Sequence, residues 1–289
     1  MSRTPDVKGF FDEPTNTVSY VVSDPQTGSA ALIDSVLDYD SAAARTDTAS
    51  ADALIRHVKE AKLDVQWILE THVHADHISA APYLQQKLGG DLGIGEKIMV
   101  VQETFGKIFN EGTEFQRDGS QFDRLFRDGD SFKLGSIDAR VMHTPGHTPA
   151  CMTYIIGDAA FVGDTLFMPD FGTARADFPG GDAAMLYRSI RKVLSLPPET
   201  RLFLCHDYKA PGRNHYAWET TVAEERANNV HVKDGVTEEQ FVAMRTARDK
   251  TLGAPKLILP SIQINMRGGN LPPAYDDGNV FLKVPLNRI

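Results

Sequence analysis

Residues 72–77 read His-Val-His-Ala-Asp-His, so three imidazoles and one carboxylate fall within six positions of the chain. Imidazole nitrogens and carboxylate oxygens are the ligands that zinc, iron and manganese take from proteins. An apolar run at residues 65–69 predicts a strand before this motif, and residues 79–88 predict a helix after it. The motif therefore lies on a strand-to-helix loop, where its side chains can turn toward one metal site. A histidine-rich surface loop is the alternative.

Three further metal-binding side chains follow later in the chain. His147, Asp164 and His206 each come just after an apolar run of strand length. Strand ends that meet at one edge of a sheet form a pocket, whereas independent surface residues would show no such phase with the strands. Together with the motif at 72–77, these residues predict a metal centre.

The pattern His-x-His-x-Asp-His, followed by a later His, an Asp and a final His, resembles the metallo-β-lactamase superfamily. The resemblance covers about residues 19 to 273. Shorter motifs are similar to its persulfide dioxygenase branch, which is related to glyoxalase II. They include Arg-Ala-Asp-Phe at 175–178, His-Asp-Tyr at 206–208 and Asn-Met-Arg-Gly-Gly at 265–269. The resemblance implies an α+β fold, the αββα sandwich of the metallo-β-lactamase type.

The resemblance also implies one iron(II) per chain, held by His72, His147 and Asp164. The implied enzyme is a sulfur dioxygenase: O2 oxidises the persulfide of a low-molecular-weight thiol, such as glutathione, to sulfite and the thiol. A face of two histidines and one carboxylate leaves neighbouring positions on iron open for both substrates. Catalytic roles in orienting ligands and moving protons would fall to His74, Asp76, His77 and His206.

A dinuclear zinc hydrolase of the glyoxalase II type, acting on a thioester or lactone, is the alternative. It would bind two Zn²⁺ bridged by Asp164, with Asp76, His77 and His206 as direct ligands, and would consume no O2. The spacing is compatible with one or two metal ions, because the full superfamily set is present. A metal-dependent binding or sensor protein on the same fold is a third and less favoured possibility.

A persulfide of glutathione carries carboxylates, so arginines are expected near the metal. The candidate substrate-binding residues are Arg175, Tyr208, Arg213, Arg226, Asn265 and Arg267. Arg175 lies in a segment rich in Pro and Gly, which is typical of a loop over a site. Tyr208 is also a catalytic candidate, because it lies two residues beyond His206. Val230 and His231 stand where a basic contact is expected, which leaves another thiol carrier or inorganic polysulfide as alternative substrates.

The elements that must position these residues alternate between strands and helices in two halves of the chain. Helices are predicted at residues 97–109, 183–196, 220–229 and 237–252. One domain over residues 1–289 is expected, with residues 253–289 as a C-terminal extended segment packed on it. Asp34, at the end of an early strand, either orients the site or belongs to a turn.

A net charge of -9 and a pI near 5.5 oppose nucleic-acid binding. The N-terminus has no apolar signal region and no stretch is long enough to cross a bilayer, so we expect a cytoplasmic protein without a membrane partner. Cys151 and Cys205 lack CxxC spacing and are expected to be buried, inert thiols. The expected partners are small molecules, with a homodimer as the assembly that the resemblance implies.

Overall fold

The structure, a computed structural model, describes residues 4–288 of the 289-residue chain. Its first half contains β1 (Asp6–Asp12), β2 (Thr17–Ser23), β3 (Ser29–Ile33), β4 (Val36–Asp40), β5 (Arg45–Asp47), α1 (Ala49–Glu60), β6 (Asp64–Leu69), β7 (Ile78–Ser79), α2 (Ala81–Leu88), β8 (Asp91–Gly95), α3 (Ile98–Ile108) and β9 (Arg124–Phe126). Its second half contains β10 (Ser131–Leu134), β11 (Ile137–His143), β12 (Met152–Ile156), β13 (Ala159–Phe161), α4 (Ala183–Val193), β14 (Arg201–Phe203), β15 (Glu219–Thr221), α5 (Val222–Asn228), α6 (Glu238–Asp249) and α7 (Ile258–Asn265).

Two six-stranded sheets form the centre of the molecule. The first has the order β1-β2-β3-β6-β8-β9, and the second has the order β10-β11-β12-β13-β14-β15. From β3 to β9 the neighbouring strands are parallel, which requires crossover connections, and α1, α2 and α3 lie in those connections. In a smaller sheet, β4 pairs with β5 and β7 beside the metal-binding motif.

An apolar layer joins the two sheets, and each outer face is covered by helices. Tyr20 of the first sheet contacts Phe161 and Phe203 of the second through edge-on ring pairs. Buried residues of α1, α2, α3 and α7 pack on the outer face of the first sheet. Those of α4 and α6 pack on the second. This order of layers confirms the predicted αββα sandwich.

The C-terminal segment differs from the expectation of extended backbone, because α7 lies within it. Ile258 and Ile262 stand four residues apart and are buried in the same apolar cluster as α1 to α3, so a helix places both on one face. Pro260 falls in the first turn, where its missing N–H costs no helical hydrogen bond. After residue 265 the described residues, as far as 288, contain no further helix or strand. No helix in the described part of the chain has the length and apolar character needed to cross a membrane.

Helix α5 contains a buried carboxyl group that supports a loop of the second half. Glu225 is fully buried, and its Oε2 accepts a hydrogen bond of 2.6 Å from the amide of Asn229. The same amide donates to the carbonyl of Gly172 at 3.0 Å. Burial raises the pKa of Glu225 from its ordinary value of 4.5 to about 8. The folded protein therefore keeps the proton on Glu225 at neutral pH.

We expect Glu225→Gln to flatten the pH dependence of stability. The raised pKa means that the folded state binds the proton more tightly than the unfolded state. The free energy of unfolding of the wild type therefore falls as the pH rises from about 4.5 to about 8, by at most ~1.4 kcal/mol per pH unit. Glutamine keeps the acceptor oxygen without the charge. Urea denaturation at pH 5.5 and pH 8 measures the difference, and Glu224→Gln is the exposed control. Equal pH slopes in all three proteins would contradict this.

Candidate metal centre

The metal-binding motif lies on the loop between β6 and β7, where the two sheets meet. The carbonyl of Thr71 accepts a hydrogen bond of 2.8 Å from the N–H of Met152 in β12, which ties the loop to the second sheet. An isolated bridge between Thr17 in β2 and His206 makes a second link between the sheets. The predicted strand ends therefore meet at one edge.

His72, His147 and Asp164 come together at this edge, with one ligand atom from each within 4.8 Å of the others. Nδ1 of His147 lies 2.8 Å from the carbonyl oxygen of Arg175. Because a carbonyl only accepts, this nitrogen carries the proton and Nε2 keeps its lone pair. Nε2 lies 3.5 Å from Oδ2 of Asp164. Nε2 of His147 and the carboxylate of Asp164 are therefore placed so that both can bind one metal ion.

Buried hydrogen bonds also fix the ring of His72 with its proton on Nδ1 and its lone pair on Nε2. The hydroxyl of Thr71 donates to Oδ2 of Asp34 at 2.8 Å, so its oxygen is left to accept from Nδ1 of His72 at 3.0 Å. Burial, with the charges of His74 and His147, holds the pKa of His72 well below its ordinary value. Nε2 of His72 is buried without a hydrogen-bond partner in the described part of the chain. A neutral ring with an unpartnered nitrogen fits a metal ion.

His74 is held by two carboxylates. Its Nε2 lies 3.0 Å from Oδ1 of Asp34 and 3.3 Å from Oε2 of Glu70. Burial lowers the pKa of a histidine, but here the charges of the two acids outweigh burial and raise the pKa of His74 well above its ordinary value. Asp34 therefore orients the site, which decides between its two predicted roles. Glu70, fixed at 2.5 Å by the hydroxyl of Ser79, was not anticipated from the sequence.

Asp76, His77 and His206 form a second group beside the first. Oδ2 of Asp76 lies 3.4 Å from Nδ1 of His77 and 3.4 Å from Nε2 of His206. Nε2 of His206 also lies 3.3 Å from Oδ1 of Asp164, which therefore stands between the two groups. Nε2 of His77 and Nε2 of His206 are buried and unpartnered among the residues that the structure describes. Ligand atoms of His74, Asp76 and His77 lie within 4.8 Å of one another, so a metal ion could also be held here.

Arg175 and Arg213, two of the predicted substrate-binding residues, form ion pairs within the protein. The guanidinium of Arg175 binds Asp177 with distances of 2.5 and 2.7 Å. That of Arg213 binds Asp207 at 2.6 and 2.7 Å and Asp170 at 2.7 and 3.1 Å. Both cations are already neutralised. Arg175 contributes to the metal centre through its carbonyl group instead.

Arg226 and Arg267, the other predicted arginines, are also paired. Arg226 lies on α5 and binds Asp234 at the surface, with 2.8 Å between Nη2 and Oδ2. Arg267 is buried against Glu111 at 2.9 Å, with its guanidinium over the ring of Phe115. This placement makes Arg267 part of the core rather than a substrate contact, because a buried pair leaves no free guanidinium to meet a ligand.

Asn265, at the end of α7, holds the metal-binding loop instead of a substrate. Its side-chain amide donates to the carbonyls of His74 and His77, each at 2.8 Å. Its oxygen accepts from the N–H of Ser79 at 2.8 Å. All three partners lie on or directly after the His-x-His-x-Asp-His motif, so Asn265 closes the loop from the C-terminal side.

Tyr208 lies beside the metal centre, as its position after His206 predicts. Its ring is nearly parallel to that of His206, with centroids 5.7 Å apart, and it also contacts Phe167 and Phe171. The side chain is 42% exposed. Tyr208 therefore has one face against the site and remains accessible to a ligand.

The two cysteines are buried thiols, as predicted. Cys151 is held by the N–H and hydroxyl of Thr148, and burial raises its pKa to about 12. Burial and the charge of Asp34 raise the pKa of Cys205 in the same direction. Both sulfurs are thus protonated at neutral pH, which keeps them inert.

Gly146 allows the loop that carries His147 to approach α4. Its φ of 137° lies in the left-handed region, and a Cβ atom there would overlap the backbone of Leu186. We expect Gly146→Ala to lower the free energy of unfolding by roughly 3 to 5 kcal/mol, the sum of backbone strain and overpacking. Metal binding should weaken as well, because His147 must move with the displaced loop.

Gly212→Ala provides the matched control for that substitution. Gly212 also has a positive φ, of 95°, but a Cβ atom there would meet no atom within 4 Å. Its cost should be limited to backbone strain, roughly 1 to 3 kcal/mol, with metal content unchanged. Urea denaturation and elemental analysis of both variants test this. Equal losses in both proteins would show that crowding against Leu186 is unimportant.

A family model described as the metallo-beta-lactamase superfamily matches residues 12–206. The chain is 60% identical to a probable metallo-hydrolase of Burkholderia pseudomallei, over 98% of this chain and 99% of that protein. It is 48% identical to glyoxylase B2 of Dictyostelium discoideum, over 100% and 99%. It is 31% identical to the mitochondrial persulfide dioxygenase ETHE1 of Bos taurus, over 93% and 91%.

Among solved structures, the fold is similar to the crystal structure of ETHE1 from Myxococcus xanthus. The TM-score is 0.72 with 30% sequence identity. The similarity covers 92% of this chain and 100% of that one. The likeness therefore extends over most of the chain.

Proposed function

Because the chain belongs to the metallo-beta-lactamase superfamily, we propose that it is a persulfide dioxygenase with one iron(II) per chain. It oxidises the persulfide of a low-molecular-weight thiol with O2 to sulfite and the thiol. The observation that carries the proposal is the proximity of His72, His147 and Asp164, whose ligand atoms lie within 4.8 Å of one another. Two histidines and one carboxylate are the ligand set of non-haem iron(II) oxygenases.

His74 lies beside the proposed iron site, with Nε2 against Asp34 and Glu70 and with Nδ1 buried without a partner in the described part of the chain. Asp34 and Glu70 raise its pKa well above the ordinary value although burial opposes this. In its protonated form, His74 would attract an anionic persulfide to the centre and donate a proton to the leaving thiolate.

The other residues of the centre have roles that follow from their positions. An iron(II) ion held by His72, His147 and Asp164 would supply neighbouring open positions for sulfur and O2. Tyr208 would orient the substrate from the exposed side, next to His206. His206, His77 and Asp76 would move protons through the contacts of 3.3 to 3.4 Å that join them to each other and to Asp164.

A dinuclear zinc hydrolase of the glyoxalase II type is the second candidate function. Nε2 of His206, which lies 3.4 Å from Asp76, and the buried, unpartnered Nε2 of His77 favour it because they could hold a second ion. The relatives at 60% and 48% identity, which are named a probable metallo-hydrolase and a glyoxylase, point the same way. The persulfide dioxygenase of Bos taurus is a more distant relative at 31%.

Metal content and O2 consumption distinguish the two functions. Protein purified without oxygen should contain about one iron per chain, and O2 should be consumed when glutathione persulfide is added, with sulfite formed in equal amount. About two zinc ions per chain without O2 uptake would reject the dioxygenase. Thioesters and lactones would then be the substrates to assay.

The proposal extends to location and assembly. We expect a cytoplasmic protein that acts on small molecules and forms a homodimer, with residues 1–289 as one domain. Light scattering coupled to size-exclusion chromatography measures the assembly. A mass of 31.8 kDa would correspond to the single chain, and twice that mass to the expected dimer.

A further inference from the structure

The carbonyl group that accepts from His147 belongs to a peptide unit whose other polar atom is also held. Arg175 contributes the C=O of this unit, and Ala176 contributes its N–H. The carbonyl accepts from Nδ1 of His147 at 2.8 Å, and the N–H donates to Oδ2 of Asp249 at 2.9 Å. In a planar trans peptide the C=O and the N–H point in opposite directions. The bond to Asp249 therefore directs the carbonyl toward His147.

Asp249 is the last residue of α6 and is paired with Arg245, one turn earlier in the same helix. Nε and Nη2 of Arg245 lie 2.8 and 2.6 Å from Oδ1 of Asp249. Nη1 of Arg245 donates to the carbonyl of Thr173 at 3.1 Å. We call Arg245 and Asp249 the α6 pair. The atoms that the pair does not use internally, Oδ2 of the acid and Nη1 of the arginine, thus bind the backbone of residues 173–176.

The α6 pair is buried, with Arg245 1% exposed and Asp249 5% exposed. Taking both charges out of water costs free energy that their attraction does not reliably recover, and apolar residues of similar volume often stabilise a fold equally well. The stability of α6 therefore does not account for two charges at these positions. An apolar pair could not provide the two hydrogen bonds to residues 173–176.

His231 holds the same segment from its other end. Its Nδ1 accepts from the N–H of Thr173 at 3.1 Å. Its ring also lies so close to Gly172 that a Cβ atom at that residue would overlap it. The segment is therefore anchored before and after Arg175, so its peptide unit cannot turn away from His147 without breaking a buried hydrogen bond.

We propose that the α6 pair positions His147 as a metal ligand through this peptide unit, and that the charge of Asp249 strengthens the ligand. A carboxylate that accepts from the N–H polarises the amide, so its carbonyl becomes a stronger acceptor for Nδ1–H of His147. A stronger hydrogen bond at Nδ1 makes Nε2 a more basic ligand. Arg245 and Asp249 are thus positioning residues. The inference requires only that His147 binds a metal, so it applies to either candidate function.

Apolar replacement of the whole pair tests the inference without any turnover. Arg245→Met with Asp249→Leu, the apolar variant, removes both charges together, so no buried charge is left unpaired and the protein should fold. Its Zn²⁺ affinity, measured in competition with a chelator, should fall roughly tenfold because the acceptor for His147 is no longer fixed. NMR of Zn²⁺-loaded protein with isotope-labelled histidine should show a slowly exchanging Nδ1–H of His147 in the wild type and its loss in the apolar variant.

Arg245→Met with Asp249→Asn separates geometry from charge. Asparagine keeps an oxygen that can accept from the N–H of Ala176, but it carries no charge. This variant should retain the ring N–H signal of His147 and recover part of the Zn²⁺ affinity that the apolar variant loses. Recovery of none of the affinity would overturn the peptide unit as the link between Asp249 and His147.

Arg201→Met with Asp158→Leu is the matched control. Arg201 binds Asp158 at 2.9 Å and also donates to a backbone carbonyl, that of Pro5, at 3.1 Å. It lies at the start of β14, whereas His206 follows the end of that strand. The control should bind Zn²⁺ as tightly as the wild type, and circular dichroism establishes that each variant is folded.

The inference and the proposed function fail in different ways. Unchanged Zn²⁺ affinity in the apolar variant, or an equal loss in the control, would overturn the α6 pair as positioning residues. Rapid exchange of Nδ1–H of His147 in the wild type would overturn it as well, because the bond to the carbonyl of Arg175 would then not persist. Absence of O2 uptake on every persulfide would reject the dioxygenase and leave these binding results unaffected.

Discussion

Asp164→Ala should lose bound iron and O2 consumption together. Asp164 supplies the only carboxylate of the proposed iron site, and its Oδ1 and Oδ2 lie 3.3 Å and 3.5 Å from nitrogens of His206 and His147. Without it, two neutral imidazoles remain, which bind iron(II) weakly. Turnover should fall roughly 10³-fold or more, as when one member of a group that acts as a unit is removed. Elemental analysis and an oxygen electrode measure the two losses.

Asp170→Ala is the matched control for that substitution. Asp170 is an aspartate of the same loop region that pairs with Arg213 at the surface, so its removal should leave the iron content unchanged. Circular dichroism of both variants establishes that they are folded. Full iron content in Asp164→Ala would show that the ligand assignment is wrong, and loss of iron with normal O2 uptake would point to another reaction centre.

Asn265→Ala should destabilise the protein and weaken metal binding, although no atom of Asn265 is a proposed ligand. The substitution leaves two carbonyls and one N–H of the metal-binding loop without their buried partner. Each such group costs about 1 to 3 kcal/mol, so we expect the free energy of unfolding to fall by about 3 to 5 kcal/mol after partial relaxation. Metal affinity should fall roughly 10- to 100-fold, because the loop orients four metal-centre residues.

Gln263→Ala is the control that separates the effect on stability from the effect on metal affinity. Gln263 is also buried on α7 and also forms three hydrogen bonds, but to Leu259 and Lys283 rather than to the metal-binding loop. Both variants should unfold at lower urea concentration, and only Asn265→Ala should bind metal more weakly in a competition with a chelator. Equal metal affinities in the two variants would show that Asn265 does not hold the metal-binding loop in the geometry that binds metal.

The metal-centre residues could be predicted because their signal is local in the chain. The motif at 72–77 is contiguous, and His147, Asp164 and His206 each follow a strand, so their phase with the strands indicates a common edge. The layer order was predicted from the resemblance to the metallo-β-lactamase superfamily, and the strands and helices indicated by the hydrophobic periods fit it. The observed helices α2, α3, α4, α5 and α6 begin and end within three residues of the predicted bounds.

The roles of the arginines and of Asn265 could not be predicted, because they depend on partners far away in the chain. Arg267 looks like a substrate contact until Glu111, 156 positions earlier, is brought against it. Asn265 reaches backbone groups 186 to 191 positions away. A side chain's type gives its hydrogen-bonding capacity but not the partner that uses it.

The sequence by itself determined which atoms can bind a metal and in what kind of fold they are carried. Residue types fix ligand chemistry, hydrophobic spacing indicates the strands and helices, and the motif pattern indicates the fold through its resemblance to a known family. Only the tertiary structure decided which charges are left free at the site, because pairing depends on distances between segments that are remote in sequence. It placed the four predicted arginines in ion pairs with aspartates and glutamates of the protein. The physical reason is that Coulomb energy falls with distance in space, which spacing along the chain does not record.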